Sequence, residues 1–339
     1  MHVHVCHSAE HGPPIQERYW ESFVAMTLNA QKNLQRALNA GITTVRDLGA
    51  EINFILQLRH EYEKGRLLGP RLFVAGHMIT AIGGHGMEYG QNMGYEVCGA
   101  DGVRKAVRQH IARKVDVIKL VTSSGGTKTE LTLEELRAGV EEAHWSGVKV
   151  ACHAAYKRRS IVNAVIAGCD TLEHGCVIDE EIADLMSANN TTYCPTLGIV
   201  RTRLVDTQGF GVKSVEYTKA ERAVEDHARG FKLVFERKLP IIAGTDAGWR
   251  GMSFDALHNE LSLMCDLGMS CGEALKTVTI NAAKALDKED LVGRVRSGMY
   301  ADILLLQSNP IFNINALRDP FEVIANGQIV KGSLQRRAT

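Results

Sequence analysis

The 339-residue chain carries no excess charge of either sign: 39 Lys and Arg balance 39 Asp and Glu, for a formal net charge of zero. That balance argues against electrostatic capture of nucleic acid or of an anionic membrane surface. No apolar run approaches the roughly 18 residues that a bilayer-spanning helix needs, and no charged-then-apolar leader precedes Glu10. The eight cysteines (Cys6, Cys98, Cys152, Cys169, Cys176, Cys194, Cys265 and Cys271) form no C-x-x-C pair, and several sit in apolar strand-like runs such as Val150-Ala151-Cys152. They read as small, reduced core residues rather than as a disulfide framework, and the expected compartment is cytoplasmic. Internal repeats and low-complexity stretches are missing too. What remains is an ordinary globular composition, 45% hydrophobic and 23% charged, with enough chain for a large core.

Short apolar runs alternate with amphipathic stretches nearly throughout. Strands are expected at His2–Cys6, Thr43–Asp47, Arg71–Ala75, Asp116–Val121, Val148–His153, Thr171–His174, Thr192–Pro195 and Ile241–Gly244. Helix-like segments lie at Ser22–Asn39, Ile52–Lys64, Val103–Lys114, Leu133–Trp145, Arg159–Ala167, Glu180–Ala188, Thr218–Arg237 and Ala256–Asp266. Thr132-Leu133-Glu134-Glu135 supplies a capping-box start to one of them, and Gly147 a stop. Eight strand–helix units predict an α/β fold of the (β/α)₈ TIM-barrel type rather than an open sheet. The pattern changes after Gly298: Ala301–Leu306 and Glu322–Val330, the latter turning at Asn326-Gly327, read as a small appended β-element. The expected organisation is therefore a barrel over 1–298 and a C-terminal β-element over 299–339.

Thirteen histidines are the unusual count. Met1-His2-Val3-His4 places two imidazoles on one side of a strand, the geometry of a metal claw, although an incidental doublet reads the same way. Barrel enzymes carry their chemistry at strand C-terminal ends. There this chain offers His2 and His4 on strand one, Lys119 on strand four, His153 on strand five, His174 on strand six and Asp246 just past strand eight. Each has a bland reading: rim histidine, snorkelling lysine, or Thr-Asp helix cap. Six such residues converging on one rim favour a site.

With those residues in place the chain resembles the amidohydrolase superfamily of metal-dependent hydrolases. It is most similar to the branch holding Xaa-Pro dipeptidase (prolidase)-like and imidazolonepropionase-related proteins. The matching stretches are Thr44–Gly49, Gly83-Gly84-His85-Gly86, Ile118-Lys119-Leu120 followed by Gly125-Gly126, Glu173-His174-Gly175, Gly244–Gly248, Thr279–Ala283 and Gly298–Asp302. The resemblance implies two divalent metal ions, zinc first among the candidates. His2, His4 and Asp246 would hold one and His153 and His174 the other, with Lys119 bridging them as a CO₂-derived carbamate. An unmodified ammonium would repel two dications, whereas a carbamate offers two anionic oxygens to metals about 3.5–4 Å apart. The implied reaction is hydrolysis of an amide bond by a metal-bridging hydroxide, with Asp246 as general base and acid. The implied substrate is a small molecule, a dipeptide or N-acyl amino acid, and the implied assembly is a homo-oligomer.

Three residues are candidates for substrate contact. His85 lies in a glycine-rich loop, Tyr156 stands three residues past His153, and Arg250 follows Asp246 closely enough to pair with a carboxylate. Asp47 orients ligands or caps a turn, and His7, His11, His77, His144, His227 and His258 read as structural or exposed. The family ordinarily has a segment ahead of its H-x-H motif that completes a β-sandwich with the C-terminal strands, so an incomplete sandwich is expected here. Two other readings stand beside the leading one. A mononuclear deaminase or imidazolone-ring hydrolase would lack the bridging lysine and commonly carry a glutamate three residues after the strand-five histidine, where this chain has Tyr156. The remaining reading is a truncated, non-catalytic scaffold.

Overall fold

A computed structural model describes residues 1–8, 22–87, 93–123, 129–207, 214–249 and 251–331. The elements, in chain order, are α1 (Phe23–Asn39), β1 (Thr44–Asp47), α2 (Ile52–Glu63), β2 (Arg71–Val74), β3 (Met78–Ala81), β4 (Gly94–Val97), α3 (Gly99–Ala112), β5 (Val117–Ser123), α4 (Leu133–Trp145), β6 (Lys149–Ala154), α5 (Arg158–Ile166), β7 (Thr171–His174), α6 (Glu180–Ala188), β8 (Thr192–Cys194), α7 (Leu197–Thr207), α8 (Val215–Glu236), α9 (Leu257–Asp266), α10 (Cys271–Val278), α11 (Ile280–Ala285), β9 (Ile303–Leu305), a 3₁₀ turn (Ile314–Leu317), β10 (Glu322–Ala325) and β11 (Gln328–Lys331). No helix among these residues is long and apolar enough to cross a membrane.

The parallel staves close into the expected (β/α)₈ barrel. β1 pairs with β2, and β5, β6, β7 and β8 pair in succession. The Asp116 amide donates to the Val74 carbonyl at 2.8 Å, joining β2 to the start of β5. Val3 bridges to Asp47 on one side and to Ala247 on the other, while Ile241 bridges to Tyr193 and completes the ring. The first and eighth staves are single bridges rather than extended strands, because the chain curls into the site after Val3 and after Gly244. An additional parallel pair, β3 and β4, extends β5 at its edge and was not expected from the sequence.

Alternation along the staves sorts side chains between two environments. Ile118, Leu120, Val150, Cys152 and Leu172 face the helices and form the main apolar core with Leu136, Val140, Ile161, Ile182 and Phe231. Register pairs Lys119 with Ala151, Val121 with His153, Ala151 with Thr171 and His153 with Glu173, so these residues share the opposite, barrel-interior face. Small side chains (Leu48, Ala75, Val117 and Ala151) plug that interior, leaving the C-terminal end for polar groups.

Helix ends follow local chemistry. Thr132 and Glu135 form the reciprocal capping box of α4, and Ser270 and Glu273 form a second one on α10. The small β-element is an antiparallel sheet in the order β11-β10-β9. Its tight turn uses Asn326 and Gly327, both at positive φ (49° and 79°), the geometry a two-residue hairpin of native twist requires. Val323, Ala325 and Val330 bury their side chains against Leu38 of α1. The expectation of eight core cysteines needs correction. Cys6, Cys152, Cys169, Cys176 and Cys194 are buried, but Cys98 is exposed at the start of α3, and Cys265 and Cys271 are half-buried at helix ends.

Glu260 of α9 is buried and accepts the Leu197 and Gly198 amides at 2.6 and 2.8 Å, satisfying the first donors of α7. Burial pushes its carboxyl up to about 7. An unfolded glutamate titrates near ~4.3. The folded chain therefore binds the extra proton between those values, and this contribution is complete below ~4.3 and lost as pH rises through about 7. Urea midpoints of the wild type and Glu260→Gln, measured at pH 5 and pH 8, are expected to show the wild type losing ground to the variant at the higher pH. A difference that does not change with pH would refute this titration.

Candidate active site

Strand alternation brings Lys119, His153 and Glu173 inward, but it would send His174 out toward the helices. His174 instead adopts φ 74°, a left-handed conformation that turns its ring back to the interior. Two donors hold that turn: the Tyr193 hydroxyl and His227 Nε2 both reach the His174 carbonyl at 3.0 Å. Asp246 is likewise left-handed at φ 57°. Gly248 closes the same loop at φ 109°, where an added Cβ would lie 2.4 Å from the His4 carbonyl oxygen, so only glycine fits.

The imidazoles are fixed by what their Nδ1 atoms touch. His2 Nδ1 donates to Glu173 Oε2 at 2.8 Å, and His4 Nδ1 donates to the Gly49 carbonyl at 3.2 Å. The Thr196 hydroxyl donates to the Pro195 carbonyl at 2.6 Å, so its oxygen accepts from His174 Nδ1 at 2.7 Å. All three rings thus carry their proton on Nδ1 and present an Nε2 lone pair. The Nε2 atoms of His2 and His4 converge on one oxygen, Asp246 Oδ1, at 3.4 and 3.2 Å. Ligand atoms of His2, His174 and Asp246 all lie within 4.8 Å of one another. The His153 ring sits 4.4 Å from that of His174 and 4.5 Å from that of His85.

Electrostatics matches this tautomer pattern. Burial pushes His2 down to about 4, and burial beside neighbouring imidazoles and Lys119 puts His153 and His174 well below the ordinary histidine range. The Asp246 carboxyl lies well below its usual value despite its burial. Burial also lowers Lys119, which is 1% exposed. The result is neutral rings around an ionised carboxylate. Three buried polar atoms here have no hydrogen-bond partner among the described residues: Lys119 Nζ, His153 Nε2 and Asp246 Oδ1. Lone pairs and an anion facing one another repel unless a cation lies among them, and imidazole and carboxylate donors suit a divalent metal. The residues present therefore fit a metal group.

Two residues with large roles went unassigned in the sequence. Arg46 and Glu173 form a buried ion pair, Nη2 to Oε1 at 2.6 Å, and Arg46 also reaches Thr171 Oγ1 at 3.2 Å and the Met1 carbonyl at 2.5 Å. Thr171 Oγ1 donates to the same Glu173 oxygen at 2.6 Å. Burial would raise Glu173, but Arg46 and His2 hold it well below the carboxylate range. Its charge fixes the His2 ring. Asp47 is a capping residue here: it accepts the amides of Val5 at 2.7 Å and Gly49 at 3.1 Å, bracing the segment that carries His4.

The six strand-end residues (His2, His4, Lys119, His153, His174 and Asp246) are thus gathered at one end of the barrel, with His85 beside His153. Tyr156 lies under the Arg203 guanidinium, 4.2 Å from ring centroid to carbon. Arg250 lies outside the described residues, as does His11. His7 is structural, one of the two readings the sequence allowed. It is buried and stacked on Trp249 at 4.3 Å, and Trp249 in turn meets the His4 ring edge-on at 5.7 Å.

The sequence profile of the amidohydrolase family matches residues 1–332. The chain belongs to the amidohydrolase family. As an amidohydrolase it is a hydrolase of carbon–nitrogen bonds. This amidohydrolase superimposes on a Xaa-Pro dipeptidase crystallised with methionine in its active site, with a TM-score of 0.86 and 29% identity, over 98% of this chain and 85% of that one. It is 28% identical to ochratoxinase from Aspergillus niger over 328 residues, 87% of this chain and 67% of the relative. It is 25% identical to imidazolonepropionase from Caldanaerobacter subterraneus subsp. tengcongensis, over 91% of this chain and 70% of the relative.

Removing one partner of the buried pair should be costly. Arg46→Met leaves the Glu173 charge unpaired and is expected to lose about 3–5 kcal/mol of stability, and Arg46→Met/Glu173→Leu is expected to recover part of that loss. Urea unfolding of both variants checks this; a double variant no more stable than the single one would contradict it.

Proposed function

We propose that this amidohydrolase is a binuclear metal-dependent hydrolase that cleaves an amide bond in a dipeptide or N-acyl amino acid bearing a free carboxylate. The observation that carries this reading is the convergence of His2 and His4 lone pairs on Asp246 Oδ1 beside the unpartnered Lys119 Nζ and His153 Nε2. His2, His4 and Asp246 would hold one cation, His153 and His174 the other, and Lys119 would bridge them as a carbamate. Burial lowers the Lys119 amine from its ordinary value and so favours the neutral form that reacts with carbon dioxide. Two divalent cations held there, zinc by preference for these donors, would supply Lewis acidity, easing loss of a proton from water and polarising the scissile carbonyl.

The remaining steps fall to side chains. Asp246 stays ionised among the histidines, so it takes up the proton of the attacking water and delivers it to the leaving nitrogen. Glu173 and Arg46 keep His2 in its Nδ1–H tautomer while a substrate enters. His85 and Tyr156 are the contacts assigned to the substrate carboxylate, and Arg250, outside the described residues, is a third by its charge alone. The apolar surface of Met78, Ile199, Val200, Trp249 and Met252 packs its side chain and limits water. In this reading residues 1–298 are the catalytic barrel and 299–339 a separate accessory β-element. The likeness to a Xaa-Pro dipeptidase supports a peptide-like substrate, and the likeness to ochratoxinase supports the same class.

Metal analysis after reconstitution is expected to return close to two equivalents per chain, with bicarbonate aiding recovery and chelators abolishing turnover. One equivalent without a bicarbonate effect would favour a mononuclear ring hydrolase, and no metal a scaffold. Asp246→Asn is expected to keep measurable metal while losing at least about 100-fold in kcat, the usual scale of a lost general base; near-normal turnover would remove Asp246 from this role.

A further inference from the structure

Away from the barrel mouth, α9 ends and α10 begins at a corner spanning Leu267–Ser270. Cys265 is in the last turn of α9 and Cys271 is the first residue of α10. Their sulfurs are 4.0 Å apart and both side chains are half-buried. The corner holds its shape through the Gly268 amide bonded to the Cys265 carbonyl at 3.0 Å and the Met269 amide bonded to the Met264 carbonyl at 3.1 Å. Buried Met269 anchors it to the core. The two thiols are therefore held near one another by the backbone rather than by a chance meeting of mobile side chains.

We infer that Cys265 and Cys271 form a redox modification site, a dithiol that a low-molecular-weight disulfide converts into an intramolecular disulfide. The two sulfurs occupy unequal surroundings, which sets the order of events. Cys271 heads an eight-residue helix capped by Ser270 and Glu273. Cys265, pushed up to about 11 by burial and by its neighbour, stays a thiol until it acts second. The Cys271 thiolate attacks one sulfur of oxidised glutathione, forming a mixed disulfide and expelling one glutathione thiolate. Cys265 then gives up its proton and attacks the Cys271 sulfur, expelling the second glutathione. Two protein thiols are oxidised and one glutathione disulfide is reduced to two thiols. Bond formation closes the sulfur separation from 4.0 Å to about 2.05 Å. The product ties α9, whose Glu260 caps α7, to α10.

The test treats the full chain with oxidised glutathione, blocks remaining thiols with iodoacetamide and maps the peptides by mass. The peptide spanning both cysteines is expected to be two hydrogens lighter than its reduced form and unalkylated, and to regain two alkylation sites after reduction. Cys98, a lone exposed thiol, serves as the control that the oxidant reached the protein. Cys265→Ser is expected to trap a glutathione adduct on Cys271, whereas Cys271→Ser leaves Cys265 largely alkylatable. Both replacements fall on half-buried positions, so folding is checked by circular dichroism. Full alkylation of both cysteines, or stable glutathione adducts on the wild-type pair while Cys98 reacts, would overturn the assignment.

Discussion

Glu173 is the point on which three staves of the barrel meet. Its carboxylate accepts from His2 of the first stave and from Arg46 of the second, while its own stave supplies Thr171. A buried carboxylate is tolerable only when its lone pairs are filled, and here three hydrogen bonds, one of them the Arg46 ion pair, fill them. The same charge that would cost the fold if unpaired orients an imidazole in the site. Arg46 reaches the Met1 carbonyl as well, so the stave carrying both leading histidines is tied into the ring through one guanidinium. Stability and site geometry thus share a single interaction, and neither can be altered without the other.

The chemistry of the barrel end depends on two departures from regular strand structure. Alternation delivers Lys119, His153 and Glu173 to the interior without further help. His174 and Asp246 reach it only because their backbones cross into the left-handed region, which the Tyr193 and His227 donors stabilise at His174. Strain of this kind persists where surrounding contacts over-determine it. The outcome is a cluster in which His2, His4 and His174 carry their protons on the outward side and their lone pairs face in.

Much of this was legible in the sequence, and the reasons are local. Eight apolar runs gave the staves, and α4 and α6 begin and end where their caps and apolar spacing place them. The six polar strand-end residues were readable because a barrel maps strand ends to one rim. Arg46 and Glu173 were not, because a charge within a strand reads equally well as an exposed rim group, and their pairing spans 127 positions of chain. The β3 and β4 pair escaped notice because four-residue strands beside a glycine-rich loop carry little periodicity. The α10 helix was passed over, although Ser270 and Glu273 form a second capping box of the same kind as Thr132 and Glu135. His7 and His227, read as structural or exposed, are structural, but stacking on Trp249 and bonding to a distant carbonyl leave no mark in neighbouring residues.

The three pinned imidazoles differ in how exposed they are to genetic drift. His2 relies on a glutamate and His174 on a threonine, and a single codon change can delete either acceptor. His4 leans on a main-chain oxygen at position 49, which every amino acid possesses. Lineages descended from such a protein can therefore shed the hold on the first or third ring by deleting an acceptor, but the second goes with the path of the backbone as long as position 49 stays glycine, since a Cβ there would lie 2.8 Å from Met78 Cγ and 3.2 Å from His4 Cε1.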